Sequence, residues 1–343
     1  METKILRINN ETEYCTQLSE ASEIILAGGT VVFPTETVYG LGGNALLADA
    51  AKKIYTAKGR PSDNPLIIHV ADPKDAEKYA YVSDIYYRLA EAFMPGPLTV
   101  IMPKRDCIPL SVTGGLDTVA VRCPSHPVAR ALIKKCGVPI AAPSANISGR
   151  PSPTSAKYVE EDMLGRVDMI IDGGECEIGL ESTIVKVDGE RLTLLRPGAI
   201  TYDALCCVCE NVEIAPAVTD KLAENERPLS PGMKYRHYAP QADFILLDGD
   251  ESDILSFMME EQKNGCAVLC YDEELPFLNA SLSVPIGKRN DLPAQAKRLF
   301  TSLREADKLG ARKIYAHLPP LDGLGLALYN RRIRAAAHTV KKI

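Results

Sequence analysis

The sequence has no tryptophan, only 6% aromatic residues and five histidines among 343 residues. Proteins that bind single-stranded nucleic acid usually stack bases on aromatic side chains, so this scarcity counts against that class. There is no Gly-x-x-x-x-Gly-Lys-Ser/Thr loop, the usual cradle for nucleotide phosphates. Nor does the sequence show a Ser-His-Asp or Cys-His arrangement or a paired-carboxylate metal motif. Chemistry in this protein must therefore depend on other groups.

Long hydrophobic runs are also missing, and none could span a bilayer. The first residues, METKILRINNETEY, are polar and carry no signal-peptide core, so we expect a soluble, cytoplasmic protein with no membrane contact. The formal net charge is -6, from 39 Lys and Arg against 45 Asp and Glu. This balance disfavours broad, non-specific binding of nucleic acid but leaves room for a local basic cleft.

The remaining composition is that of a globular protein, with 46% apolar and 24% charged residues and a length typical of about two domains. Ten cysteines are scattered along the chain, and in a reducing compartment we expect most to be buried thiols. Cys206-Cys207-Val208-Cys209, with Cys266 and Cys270, is a candidate zinc set. Structural zinc usually needs two close pairs near turns, so inert, buried thiols are the expected state of this group and no metal site is predicted.

Strand-like and helix-like segments alternate through residues 1–210, which predicts an α/β domain. The motifs within this domain, rather than the alternation, indicate that it is the catalytic domain. Predicted helices lie at 16–27, 45–58, 84–93 and 127–137. Predicted strands lie at 30–35, 65–70, 98–103, 118–124, 167–174, 182–189 and 191–198.

Residues 211–241 contain four prolines and no clear periodicity, so we expect a linker or lid there. From 242 to 343 the pattern is strand then helix, three times, which predicts a smaller, Rossmann-like α/β domain with a parallel sheet. Its final helix is predicted to continue through GLALYNRRIRAAAHTVKK. Gly323-x-Gly325, just before that helix, is a weak nucleotide signal and more often a plain loop.

Polar residues collect at strand ends and loops in the first half, where sites are usually built. KGRPSDNP places Lys58, Arg60 and Asn64 before a predicted strand that ends in His69. Arginine offers a planar fork of donors for phosphate and lysine a compact charge, although both are common on solvated helix ends. A lone histidine in an apolar strand is more often a core residue than a ligand contact.

Other motifs extend this set. Arg122 ends an alternating strand and needs a partner, either a substrate carboxylate or an internal acid. PTETVYGLGGNA (34–45) supplies hydroxyls, Glu36 and glycines that allow close approach to a ligand, or simply forms a tight loop. APSANISGRPSPT (142–154) is dense in turn-forming polar residues. Arg196 ends the strand that follows LESTIVKV.

At these motifs the sequence resembles the YrdC-like threonylcarbamoyl-AMP synthase family in its long, two-domain form. The matching stretches are FPTETVYGLGGNA, KGRPSDNPLIIHV, MPGPLTVIM, VAVRCPSHP, APSANISGRPSPT, ESTIV and LLRPGAI. SPGMKYRHYAP (230–240) is similar to the linker before the family's C-terminal domain. The resemblance implies an open concave cleft in a twisted mixed sheet, and a nucleotidyltransferase that makes threonylcarbamoyl-AMP and pyrophosphate from L-threonine, bicarbonate and ATP.

The resemblance also implies roles for individual residues. The expected catalytic group at the phosphates is Lys58, Arg60, Ser144 and Asn146. The expected ATP contacts are Lys58, Arg60, Asn64, Thr118, Ser144, Ser152, Arg196 and Tyr238. The expected threonine contacts are Thr37, His69, Arg122, Ala142 and Ser182. Magnesium is expected to arrive with ATP, bicarbonate to act as co-substrate, and the product to pass to tRNA threonylcarbamoyl-transfer proteins.

Two alternatives stay open. The same basic cleft, with Arg150 added, could bind double-stranded or ribosomal RNA, although the acidic total charge counts against it. A related carbamoyl-transfer enzyme would use carbamoyl phosphate, but residues 242–343 lack the metal-binding signature of such proteins.

Overall fold

The computed structural model describes residues 2–8, 14–220 and 238–343. These residues form two compact units. The first unit holds the described residues up to 220, apart from Gly149–Pro151 and Ile178–Leu180. Those two short segments belong with residues 238–343 to the second unit. The predicted linker at 211–241 falls largely outside the described ranges, so its boundaries stay a prediction.

The first unit is built on a mixed sheet. Its strands are β1 (Lys4–Arg7), β2 (Val31–Phe33), β3 (Gly40–Asn44), β4 (Ile67–His69), β5 (Leu98–Pro103), β6 (Thr118–Arg122), β7 (Ile140–Ala141), β8 (Met169–Asp172), β9 (Thr183–Asp188), β10 (Arg191–Arg196) and β11 (Val212–Ile214). They lie in the order β1-β8-β2-β3-β7-β4-β6-β5-β9-β10-β11. Pairs such as β4 with β6 are parallel, and pairs such as β5 with β6 are antiparallel. The predicted mixed α/β architecture is confirmed.

Seven helices accompany this sheet within the described residues. They are α1 (Tyr14–Gln17), α2 (Ser19–Leu26), α3 (Ala48–Lys58), α4 (Asp84–Phe93), α5 (Pro127–Cys136), α6 (Ala156–Met163) and α7 (Tyr202–Cys206). Glycine ends α3 and α5, because Gly59 and Gly137 adopt left-handed φ values of 61° and 65° that other residues tolerate poorly. Pro127 opens α5 at a position where no backbone N–H is needed.

The two faces of the sheet bury different apolar groups, as the alternation of side chains along a strand requires. Val119 and Val121 of β6 face the largest core cluster, which also contains Ile54 of α3. Ala120, between them, packs in a smaller cluster with Ile184. Each strand thus contributes to two layers, which explains why several of these segments are apolar throughout.

The second unit is a smaller α/β domain with a wholly parallel sheet, as predicted. Its strands are β12 (Asp243–Asp248), β13 (Ala267–Cys270), β14 (Ser283–Pro285), β15 (Lys313–His317) and β16 (Val340–Lys342), in the order β14-β13-β15-β12-β16. Its helices are α8 (Glu251–Lys263), α9 (Leu292–Lys308) and α10 (Gly325–Ala335). No helix among the described residues has both the length and the apolar character needed to cross a membrane.

Three details differ from what the sequence suggested. The final helix does not continue through Lys342, because Ala337 and His338 take left-handed φ values of 48° and 64° and the chain then enters β16. The glycine-rich segment after β2 is not merely a loop, since it contains the buried strand β3. Cys206 and Cys207 are exposed rather than buried, whereas Cys209 is buried.

Strand β3 needs glycine at position 42 because its neighbours leave no room there for a side chain. A Cβ atom at Gly42 would lie 2.6 Å from Phe33 Cε1 and 2.7 Å from Ile140 Cγ2. At Gly43 the corresponding contacts are no shorter than 3.3 Å. Glycine therefore allows β2, β3 and β7 to pack closely at the centre of the sheet.

We expect Gly42→Ala to lower the free energy of unfolding by about 1–3 kcal/mol, the usual cost of overpacking a core. Gly43→Ala is the matched control, because both changes add one methyl group to the same strand. Urea unfolding followed by circular dichroism measures both, and the control should lose clearly less. Equal losses would show that close packing at Gly42 is not the constraint.

Candidate active site

Four of the five expected threonine contacts lie on or beside adjacent strands. His69 and Arg122 are register partners at the ends of the parallel strands β4 and β6. Ala142 follows β7 and donates its backbone N–H to Ile67 of β4 at 2.8 Å. Ser182 precedes β9, which pairs with β5 beside β6. The sheet thus brings together residues that are as much as 113 positions apart in the sequence.

The fifth, Thr37, lies in the loop between β2 and β3 beside Glu36, and this loop supplies a partner for Arg122. Arg122 Nη2 donates to Glu36 Oε1 at 2.8 Å, and both side chains are only 5% exposed. Of the two partners considered for Arg122, the internal acid is therefore present. Burial alone would raise the pKa of Glu36, but the charge and hydrogen bond of Arg122 hold it below its ordinary value.

Each side chain of this ion pair has a further buried polar atom. Within the described ranges, Glu36 Oε2 and Arg122 Nε are buried and make no hydrogen bond. An unpaired buried acceptor and an unpaired buried donor each carry a desolvation cost. Together they form a buried group that can accept from a cation and donate to an anion.

His69 lies beside this pair as a neutral imidazole. Its Nδ1 is 3.3 Å from the Ile140 carbonyl oxygen, which can only accept, so Nδ1 carries the proton and Nε2 keeps its lone pair. Burial, followed by the positive charge of Arg122, lowers the pKa of His69 to about 3. The edge of the Phe33 ring packs against the imidazole at 6.1 Å between centroids.

Ser182, an expected threonine contact, is hydrogen-bonded to Arg196, an expected ATP contact. Its hydroxyl lies 2.7 Å from Thr99 Oγ1, and Arg196 donates from Nη2 to the same hydroxyl at 3.1 Å. Arg196 Nε also donates to the Ser182 carbonyl at 3.0 Å. These contacts fix the backbone at the entrance of β9 and place a guanidinium beside it.

Lys58, the last residue of α3, is 1% exposed and reaches the segment after β7. Its ammonium donates to the carbonyls of Ser144 and Asn146 at 2.5 and 2.6 Å, and lies 3.3 Å from Asn146 Oδ1. Ser144 Oγ donates to Asn146 Oδ1 at 2.5 Å. Burial, and then the nearby Arg60, hold the pKa of Lys58 well below its ordinary value. Three residues of the expected catalytic group, Lys58, Ser144 and Asn146, are thus connected by hydrogen bonds.

Three expected ATP contacts, Arg60, Asn64 and Thr118, lie at or before the amino ends of β4 and β6. His69 and Arg122 lie at the carboxyl ends of the same strands. Arg60 and Asn64 precede β4, and Thr118 opens β6 about 13 Å from Arg122 along the strand. Because β4 and β6 are parallel, their amino ends lie side by side. Arg60 Nη2 donates to the Pro65 carbonyl at 3.1 Å, and among the described residues the buried Asn64 Oδ1 has no partner.

Ser152 and Tyr238, the remaining expected ATP contacts, belong to different units. Ser152 Oγ donates to Glu181 Oε1 at 2.6 Å within the first unit. Tyr238 belongs to the second unit, where its ring stacks on Phe300 at 5.2 Å between centroids and its φ is 62°. The rest of SPGMKYRHYAP, up to His237, lies outside the described residues.

Sequence reasoning missed two contributors and left a third unranked. Thr99 was passed over inside a predicted strand, and its contact with Ser182 depends on the parallel pairing of β5 with β9. Tyr39 donates to the Gly174 carbonyl and accepts from the Gly173 N–H, which ties the loop before β3 to the end of β8. Glu36 was recognised, but no sequence signal linked it to Arg122.

Both halves of the chain match known protein families. The Sua5, YciO and YrdC family profile, described as "Telomere recombination", matches residues 23–198. A second profile, described as "Threonylcarbamoyl-AMP synthase, C-terminal domain", matches residues 200–337. The chain belongs to the threonylcarbamoyl-AMP synthase family. The family resemblance seen in the sequence motifs is thus confirmed.

Relatives in this family align along most of their length. The threonylcarbamoyl-AMP synthase of Bacillus subtilis is 43% identical over 94% of this chain and 94% of its own. That of Pyrococcus abyssi is 44% identical over 94% and 95%. The structure of P. abyssi Sua5 complexed with L-threonine has a TM-score of 0.89 and 40% identity, and the match covers both chains completely.

We expect the His69 imidazole to stay neutral between pH 7 and pH 4, because its pKa lies near 3 in the folded protein. A histidine whose pKa falls on folding makes the folded state less stable as pH drops below its unfolded value of about 6.5. NMR titration of the ring carbon signals, assigned with a His69→Gln variant, measures the pKa directly. A midpoint near 6.5 for His69 would contradict the expectation.

Proposed function

We propose that this protein is an L-threonylcarbamoyladenylate synthase, which makes threonylcarbamoyl-AMP and pyrophosphate from L-threonine, bicarbonate and ATP. The observation that carries the proposal is the buried Glu36–Arg122 pair, which has two polar atoms without a partner in the described part of the chain. Thr37, His69 and Ser182 are the other proposed threonine contacts. Membership of the family supports it, and so does the name shared by relatives that match this chain over nearly its full length.

The unpaired atoms suit a zwitterionic amino acid. In the proposed complex, Arg122 Nε donates to the threonine carboxylate and Glu36 Oε2 accepts from the threonine ammonium. Thr37 and Ser182 offer hydroxyls to a small polar side chain, His69 offers a neutral acceptor, and Ala142 leaves space for the substrate. The P. abyssi Sua5 structure contains L-threonine, which supports this class of ligand.

The nucleotide would extend from this end towards the amino ends of β4 and β6. Arg60, Asn64 and Thr118 lie at or before those ends, and Asn64 Oδ1 has no hydrogen-bond partner among the described residues. Ser144, Asn146, Ser152, Arg196 and Tyr238 are the other proposed ATP contacts. Lys58 holds the Ser144–Asn146 segment in shape, and its direct contact with phosphate stays a prediction.

The reaction needs few protein groups that form or break bonds. The threonine amine attacks the carbon supplied by bicarbonate, water is released, and a carbamate results. A carbamate oxygen then attacks the α-phosphorus of ATP, and the bond to the departing pyrophosphate breaks. Fixed cations such as Arg60 would stabilise charge that grows on the phosphates. Holding three reactants in place removes much of the entropic barrier.

Magnesium would enter with the nucleotide. Among the described residues, no group of three or more His, Cys, Asp or Glu side chains is placed to hold a metal ion. A magnesium ion that is bound mainly by ATP phosphates and water needs no such group. It would neutralise phosphate charge, while the residues of this chain orient the α-phosphorus.

The product would serve the threonylcarbamoyl modification of adenosine beside the anticodon of tRNAs. Other proteins would transfer the group to tRNA, and contact with RNA by this chain would be weak at most. The proposed setting for this chemistry is the cytoplasm.

The function is tested by incubating the full-length protein with ATP, magnesium, bicarbonate and L-threonine, and measuring pyrophosphate release while each component is omitted in turn. We expect release to require both L-threonine and bicarbonate. Release without threonine would identify a different acceptor. Absence of release from folded protein that binds RNA would instead favour the RNA-binding alternative.

We expect Arg60→Ala to slow adenylate formation by more than about tenfold, the scale of one lost electrostatic contact at a transition state. Arg88→Ala is the matched control, because Arg88 is exposed and its ion pair is with the exposed Glu190. Initial rates of pyrophosphate release give the comparison, with circular dichroism as the check on folding. Full activity in folded Arg60→Ala would contradict the phosphate role.

A further inference from the structure

The second unit contains a cavity of about 690 Å³ that the proposed function does not use. It opens at the carboxyl ends of β12, β13 and β15, and its walls include Leu247, Tyr271 and His317 from these three ends. Leu318 and the residues up to Leu321 complete one side. A volume of this size accommodates a small organic ligand.

The position of the cavity matches the place where parallel sheets bind ligands. From β13 the chain continues to β14 at one side, and from the neighbouring β15 it continues to β16 at the other. Adjacent strands whose connections run in opposite directions leave a crevice between their carboxyl ends. Tyr271 and His317 follow or end these two strands, and their rings stack at 4.6 Å between centroids.

Glu274, the acidic residue beside this ring pair, already has hydrogen-bond and ion-pair partners. Glu274 accepts from the Tyr271 backbone N–H at 2.8 Å and pairs with Arg289 at 3.3 Å. Its Oε1 also lies 2.8 Å from His317 Nε2. Arg289 in turn lies over the Tyr271 ring, with its guanidinium carbon 4.9 Å from the centroid. Little acceptor capacity of Glu274 is left for another cation.

Arg332 of α10 adds a buried positive charge beneath these rings. Its side chain is completely buried, and Nη1 donates to the His317 carbonyl at 3.3 Å. In the described part of the chain, Nε and Nη2 make no hydrogen bond, and no carboxylate pairs with this guanidinium. A buried cation without a counter-ion is costly. Among the buried and half-buried groups Glu274, Arg289 and Arg332, the positive charges therefore outnumber the negative charge by one.

The surrounding helices add to this potential. Helices α8, α9 and α10 all begin at the carboxyl edge of the sheet, after β12, after β14 and after β15. The first turns of helices present unpaired N–H groups and partial positive charge. Four exposed acidic groups oppose it. Asp248 and Glu251 line the cavity, and Glu251 pairs with Arg289. Glu273 accepts from the Arg289 backbone N–H, and Asp291 caps the first turn of α9. Solvent screens all four charges.

We propose that this cavity is a second binding site, which takes a phosphate-bearing small molecule. The phosphate would lie beside Arg289 and the ring pair of Tyr271 and His317, above the charge of Arg332. The organic part would pack against Leu247, Ile254, Leu292 and Leu318, which give the cavity its apolar walls. The residues that line this site all belong to the second unit, and the proposal does not rest on the proposed reaction.

The test is hydrogen–deuterium exchange of the full-length protein, read by mass spectrometry, with AMP or ribose 5-phosphate at millimolar concentration. Adenosine serves as the probe without phosphate. We expect both phosphates, but not adenosine, to slow exchange in peptides covering 247–254 and 317–321. Because the readout is local, binding of AMP at the catalytic site does not interfere. Protection by neither phosphate, or equal protection by adenosine, would overturn the proposal.

Two variants probe the charge dependence. Arg289→Ala should weaken the protection by AMP about tenfold or more, as loss of a charge-assisted contact would. Asn290→Asp keeps the shape of an exposed rim residue and adds negative charge, so it should weaken binding without affecting folding. Arg312→Ala, at an exposed position before β15, is the matched control. Unchanged protection in both Arg289→Ala and Asn290→Asp would contradict an anion site.

Discussion

The buried ion pair between Glu36 and Arg122 is the interaction on which the first unit's site depends. Removing two charges from water costs several kcal/mol per ion, which close contact only partly repays. The pair therefore requires the β2–β3 loop and the end of β6 to be held at one spacing. Close packing of β2, β3 and β7 at Gly42 supplies that constraint. The ion pair, the glycine strand and the neutral His69 form one rigid arrangement.

Lys58 shows a different way of burying a charge. Its ammonium is surrounded by oxygens of Ser144 and Asn146, so the backbone takes the place of water. Arg122 uses a carboxylate instead, and among the described residues one of its donors has no partner. Lys58 thus fixes the shape of a loop, whereas Arg122 keeps a donor that the proposed threonine carboxylate would use. Arg332 of the second unit resembles Arg122, since it is also buried and has donors without a partner in the described part of the chain.

Much of the fold could be predicted from the sequence where local pattern and tertiary packing agree. Helix α4 and strand β5 have the predicted bounds, because apolar spacing and flanking breakers mark them clearly. Strand β3 could not be predicted, since glycine has no strand preference and its reason for being there is the ring of Phe33 on a neighbouring strand. The error at His338 has a similar cause: a helix-like composition continues past the point where backbone geometry ends the helix.

For the site, the motifs identified the residue types but not their partners. Arg122 was expected to need an acid, yet the choice of Glu36 depends on which loop lies beside β6. The hydroxyl contact of Thr99 with Ser182 likewise depends on a parallel pairing between distant strands. Such contacts join residues that share no local pattern, so only the folded sheet determines them.

Two short segments, Gly149–Pro151 and Ile178–Leu180, lie among the catalytic motifs in sequence but belong to the second unit. Gly149 accepts from the Ala239 N–H, Pro151 accepts from Arg304, and a side chain at Gly179 would meet the backbone of Lys297. Removing residues 238–343 from this chain would therefore also remove the packing partners of two segments that lie within or beside the family motifs of the first half.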